Sequence, residues 1–148
     1  MKRSLNPKKF FTKEESDKII NAIKKSELIT SGEIRVHIER NVRGDIYKKA
    51  VKIFNKLKMY NTKDRNGCLI LLELKHKKFA VIGDIGLHEK VGQDFWKNIA
   101  DCFHTHFKED KFLEGLESGI ILIGEKLKKY FPYQSDDVNE LPDEISYK

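Results

Sequence analysis

Asp64-Arg65-Asn66-Gly67-Cys68-Leu69-Ile70-Leu71-Leu72-Glu73-Leu74 decides the reading of this chain. A polar loop containing glycine opens onto an apolar run at 68–74, bounded by turn residues. Such a run reads as a strand buried on both faces. A basic turn, Lys75-His76-Lys77, separates it from a second short strand at 78–82, too close for a crossover, so the two form an antiparallel hairpin. Gly83-Asp84-Ile85-Gly86-Leu87 closes the hairpin, and a helical pattern starts near Glu89. Rigid strands hold their flanking loops in fixed geometry, so the loops at 64–67 and 83–94 are where a site is expected.

Upstream, Glu33-Ile34-Arg35-Val36-His37-Ile38-Glu39 alternates, which puts Ile34, Val36 and Ile38 on one face and the polar residues on the other. That pattern predicts a strand at or near a sheet edge, or under a partly open side. Gly44-Asp45 opens a helix whose Ile46, Tyr47, Ala50, Val51, Phe54 and Leu57 follow helical spacing. Strand, helix and central strand together have the length of a βαβ crossover with parallel strands. Before them, Thr12-Lys13-Glu14-Glu15 is a capping-box pattern that starts a helix lasting to about Glu27. After them, Val91, Phe95, Ile99, Cys102 and Phe103 line one helix, and Phe112, Leu116, Ile120, Ile123 and Leu127 line the last, with Asp110 as its expected N-cap. Gly115 and Gly119 in that helix predict close packing against a neighbour. The expected order is αβαββαα: an α/β, three-layer αβα Rossmann-like sandwich around a small mixed sheet.

With 148 residues, 39% hydrophobic and 35% charged, the chain reads as one globular domain. Residues 1–9 form a basic segment, 10–132 the α/β domain, and 133–148 an acidic tail without periodicity, expected to be flexible. The net charge of +6 reads as a lysine-rich solvated surface. Nucleic acid is an unfavoured partner, because no aromatic platform, zinc pattern or helix-turn-helix accompanies the lysines. No apolar leader and no stretch near ~18 apolar residues is present. The two cysteines, Cys68 and Cys102, fall in apolar patterns, which points to a reducing, cytoplasmic setting.

The best chemical constellation is rich in oxygen: Asp64 and Asn66 in one loop, Asp84 in the other, and Glu89 or Asp94 near the next helix. Carboxylates and amide carbonyls are hard ligands suited to Ca²⁺ or Mg²⁺. The competing reading is turn chemistry, with Asp64 and Asp84 forming Asx-turns and Glu89 favouring a helix N-terminus. A metal-assisted hydrolase would use the cation to neutralise phosphoryl oxygens and activate water, with Lys63, Arg65 or His88 as donors to phosphate. No phosphate-cradling glycine-lysine loop, nested cysteine or Asp-x-Asp nucleophile accompanies them.

Several landmarks carry a resemblance: Thr30-Ser31-Gly32-Glu33-Ile34, the Asp64-x-Asn66-Gly67 loop, Gly83-Asp84-Ile85-Gly86-Leu87, Phe107-Lys108-Glu109-Asp110-Lys111-Phe112, and Gly115-Leu116. In order and spacing the chain resembles the TPM domain, or TPM-phosphatase, family over about residues 10–131. The resemblance implies the αβα fold and a loop site associated with divalent cations. It also implies acid phosphatase activity of the kind attributed to thylakoid relatives in photosystem repair, other relatives being receptor-accessory or membrane-linked proteins. This chain departs from that layout: it shows neither the export signal nor the carboxy-terminal span, and it carries Gln93-Asp94 where relatives often place an aspartate. The function expected is therefore a binding or regulatory module for Ca²⁺ or Mg²⁺, with a further protein partner, and metal-assisted phosphomonoester hydrolysis is the alternative.

Overall fold

All seven residues of β2 (Gly67–Glu73) are buried, as its apolar run predicts. The computed structural model, which describes residues 3–133 and 140–148, sets β2 between β1 (Glu33–Glu39) and β3 (Lys78–Gly83). β1 and β2 run parallel, with Glu33 opposite Gly67 and Glu39 opposite Glu73. Their connection carries α3 (Ile46–Lys56), so the expected βαβ unit is present. β3 returns antiparallel with Cys68 opposite Gly83, completing the expected hairpin.

Two layers of helices enclose this sheet. One face carries α2 (Lys13–Glu27), α5 (Gln93–Lys108) and α6 (Phe112–Tyr130), packed on Ile34, Val36, Ile38, Ile70 and Leu72. The other carries α3, whose Ala50, Ile53 and Phe54 meet Leu69, Leu71 and Ala80. The result is the three-layer αβα sandwich. Thr12 caps α2 as predicted: its hydroxyl accepts from the Glu15 amide at 3.1 Å, and the Glu15 carboxylate accepts from the Thr12 amide at 3.0 Å. Glycines let α6 approach its neighbours. A Cβ on Gly119 would stand 2.3 Å from the Phe103 ring, and one on Gly115 would stand 2.8 Å from the Cβ of His106.

The expected order αβαββαα lacks three elements. A short helix α1 (Pro7–Phe10) gives the basic amino end a fixed place, and Arg3 beside it forms a bidentate pair with Glu15 at 2.6 Å. The helix expected near Glu89 is two helices. α4 (Ile85–Lys90) starts at once because Asp84 caps it, and Val91 in extended conformation breaks the run before α5. Lys111, not Asp110, precedes α6; Asp110 takes a left-handed φ of +60° in the turn. Within α3 the buried stripe is narrower than its spacing predicts, since Tyr47 and Val51 remain 55% and 51% exposed.

The third added element is β4 (Ser146–Tyr147), which pairs in parallel with β1 on the side away from β2. The predicted tail therefore divides: residues 134–139 lie outside the described residues, whereas residues 140–148 return to the sheet. Leu141 and Ile145 are buried in the two halves of the core. Beneath this segment the polar side of β1 is covered, so Glu33, His37 and Glu39 are all buried despite their charge pattern. β1 lies next to the edge strand, as its alternation allows.

Candidate functional site

The loops singled out by sequence meet at one end of the sheet, where β1 and β2 begin and β3 ends. The Asp84 amide donates to the Gly67 carbonyl at 2.8 Å, which ties the Asn66-Gly67 corner to the start of α4. Gly86 sits so close that a Cβ there would lie 2.0 Å from the carbonyl oxygen of Asp64. Only glycine permits that approach.

Asp84 is buried and already engaged. Its Oδ2 accepts from Arg65 Nε at 2.6 Å, its Oδ1 accepts from Arg65 Nη2 at 2.9 Å, and Oδ1 also takes the Ile85 amide at 2.8 Å. A planar guanidinium matched to a carboxylate in this way is a directional, charge-assisted pair. Arg65 reaches it from a left-handed backbone, φ +50°, with its side chain half exposed. Asn66 is 1% exposed; its amide nitrogen donates to the Ser31 hydroxyl at a long 3.5 Å, and among the described residues its Oδ1 has no hydrogen-bond partner. A buried acceptor left unpaired costs about 1–3 kcal/mol, so this oxygen is the one atom of the loop that calls for a ligand.

The other predicted residues are exposed rather than buried in that corner. Asp64 is exposed in the loop, and Glu89 is exposed on α4. Asp94, exposed in the first turn of α5, lines a separate hollow with Lys126, Lys129 and Tyr130. Arg65 and Asp84 border a smaller cavity with Tyr60 and Val51. Among the described residues no group of three or more His, Cys, Asp or Glu side chains is disposed to hold a metal ion. Any cation at the Asn66–Asp84 corner would therefore complete its shell with backbone oxygens and water. Of the expected phosphate donors, Lys63 and His88 are exposed on the loop and on α4, and only Arg65 is fixed.

Sequence reasoning passed over a second polar cluster on the covered side of β1. Glu33 accepts from the amides of Glu140 and Leu141, the latter at 3.2 Å, and so anchors the returning segment. Burial, with Asp143 and Glu33 close by, pushes the Glu27 carboxyl well above the usual range, and burial also raises Glu33 despite its hydrogen bonds. Such a shift favours the neutral, protonated form of the Glu27 carboxyl. His37 lies between Ser146 Oγ at 2.8 Å and Glu39 Oε2 at 2.6 Å; burial lowers its pKa more than Glu39 raises it, so the ring is neutral. Glu73, fully buried, accepts from the amide and ring of His76 and from the Val42 amide; burial pushes its carboxyl up, but these bonds outweigh it and hold it below the usual range. These partners are far apart in sequence or hidden in a turn, and no local motif announces them.

Fold and loops together define a Rossmann-like αβα domain with its distinctive corner at the Asn66-Gly67 and Gly83-Asp84 ends of the hairpin. The TPM domain family model matches residues 5–126, so the chain belongs to the TPM domain family. It is also similar to the BA42 protein of the psychrophilic bacterium Bizionia argentinensis, known from an NMR structure. That likeness has 42% identity and a TM-score of 0.91 over 95% of this chain and 97% of the other. No curated protein matches the sequence. Among the described residues no helix is long and apolar enough to cross a membrane.

Proposed function

We propose that this TPM domain is a binding module that takes a divalent cation, Ca²⁺ or Mg²⁺, at the corner formed by Asp64, Asn66 and Asp84. The observation that carries the reading is the buried Asn66 Oδ1, an acceptor with no partner among the described residues. A hard cation satisfies such an oxygen, and the carboxylates supply charge. Arg65 acts there as a resident counter-ion, holding Asp84 in its buried position until a cation displaces the guanidinium. Glu89 and Asp94 contribute at most through water. The unpaired thiols of Cys68 and Cys102 fit a cytoplasmic setting.

The test is an amide-resolved NMR titration with Ca²⁺ and then Mg²⁺. Saturable shifts confined to residues 64–67 and 83–86 are expected, strengthened in Arg65→Met and lost in Asp84→Asn. Unsaturable shifts confined to the acidic residues 140–144 would overturn the reading. Phosphomonoester hydrolysis, the alternative implied by the family, has support in Arg65, whose Nη1 is uncommitted to Asp84. Turnover of an aryl phosphate with Mg²⁺, abolished by Arg65→Met, would favour it; saturable metal binding without turnover favours the module.

A further inference from the structure

The outer edge of β3 carries backbone groups that no described residue pairs. In an antiparallel ladder, residues alternate between bonding the partner strand and facing away from it. The Asp84 amide bonds Gly67, so by alternation Ile82, Ala80 and Lys78 face β2. Phe79, Val81 and Gly83 then direct their N–H and C=O groups outward. These three donors and three acceptors extend over roughly 14 Å, the span of a five-residue strand.

This edge forms the floor of a groove of about 540 Å³, walled by Tyr47 and Val51 of α3 and by Trp96 and Ala100 of α5. Tyr47 and Val51 are more than half exposed, although α3 already buries a complete face through Ala50, Ile53 and Phe54. Unpaired strand edges and exposed apolar walls are features that soluble proteins ordinarily suppress. At the opposite edge the two-residue β4 covers His37 and Ile38 of β1, so among the described residues β3 is the longer of the two edge strands.

Charge selects the occupant. Lys97 lines the groove, Lys48 follows Tyr47 on an exposed position of α3, and Lys78 begins β3. Of the nearby acids, Asp84 is taken by Arg65, Asp45 accepts from the Tyr47 amide as the cap of α3, and Asp101 stands one turn beyond Lys97. A second copy of this chain, itself +6, would set these lysines against their own kind. We propose that the β3 edge is a strand-addition site for an extended peptide segment of another protein, apolar at alternate positions and carrying Asp or Glu between them. Main-chain bonds to Phe79, Val81 and Gly83 supply affinity. The apolar walls and the lysines supply specificity.

The experiment is selection of displayed random seven-residue peptides on the full chain, followed by NMR mapping and anisotropy with the enriched peptides. Expected are sequences alternating apolar and acidic residues, shifts at the Phe79, Val81 and Gly83 amides, and affinity that falls with salt. Val81→Pro removes one outward N–H and leaves the β2 ladder intact; Val51→Asp sets a like charge on the wall. Each should weaken binding at least about tenfold while the melting transition remains cooperative. Because Val51 is exposed, the second variant decides the matter if the first unfolds. Lack of enrichment, or shifts mapping elsewhere, would overturn the proposal. So would a concentration-dependent dimer abolished by Val81→Pro, which would assign the edge to a second copy.

Discussion

Replacing Gly119 by alanine should destabilise the protein, against the ordinary trend for glycine inside a helix. Alanine favours a helix interior over glycine by about 1 kcal/mol. Here the added methyl carbon would lie 2.3 Å from both Cε1 and Cζ of Phe103. That ring has nowhere to go. It is fully buried, stacked on Phe107 at 5.4 Å and tilted against Phe79 at 5.6 Å. Overpacking a well-filled core costs about 1–3 kcal/mol, and a locked aromatic cluster belongs at the upper end. The balance is about 2 kcal/mol of lost stability, or roughly a 6 °C lower melting temperature for a domain of this size. Gly115→Ala, whose nearest contacts are at 2.8 Å, should cost less. Urea unfolding followed by circular dichroism measures both. In a double-mutant cycle, Phe103→Leu should restore part of the loss, with a coupling of about 1–2 kcal/mol. A Gly119→Ala protein as stable as the parent, or a cycle that is simply additive, would refute the account of the α5–α6 contact.

Two further outcomes follow from the buried titratable groups. Burial beside Asp143 and Glu33 raises the folded pKa of Glu27 above its ordinary 4.5, so the stability it contributes is present below that pH and declines as pH rises toward the raised value. Glu27→Gln should therefore flatten the decline in urea midpoint above pH 5 and leave the protein more stable at pH 8; a less stable variant at pH 8 would contradict this. The Cys68 thiol, pushed up to about 12 by burial, should resist alkylation at pH 8 until the chain unfolds, whereas Cys102, raised less far and half-buried, should react slowly in the native state. Rapid native-state modification of Cys68, read by mass spectrometry, would show that β2 opens locally.

Most of the frame was legible because its signals are local. The apolar run of β2, the alternation in β1 and the βαβ spacing gave strand directions, and Thr12 with Glu15 gave the start of α2. Gly115 and Gly119 were rightly read as a close-packed face. Elements that depend on distant partners were not legible. Leu141 and Ile145 are isolated apolar residues in an acidic stretch, and only the covered side of β1 gives them a place. α4 is one and a half turns long and has no period of its own; it exists because Asp84 caps it. The loops of the candidate corner were located from turn chemistry, but the pairing of Arg65 with Asp84 depends on a left-handed residue that sequence alone did not suggest. The apolar spacing of α3 overstated its buried face, since periodicity cannot tell a core residue from one that walls a groove.

The pairing of β4 with β1 also bears on how the chain reaches its native state. His37 meets Ser146 across 109 residues, about three times the separation that joins β1 to β2. Loop-closure entropy makes the longer join costlier by about 1 kcal/mol, so β4 is the natural last addition to the sheet. Until it arrives, β1 is a bare edge, and bare edges recruit other chains. The residues that later lie buried under the carboxy-terminal segment, Glu33, His37 and Glu39, are then in water, where charged side chains on a strand discourage intermolecular pairing. The polar face of β1 thus serves the chain twice: as a guard against aggregation while the sheet is unfinished, and as the hydrogen-bonded seat of its final strand.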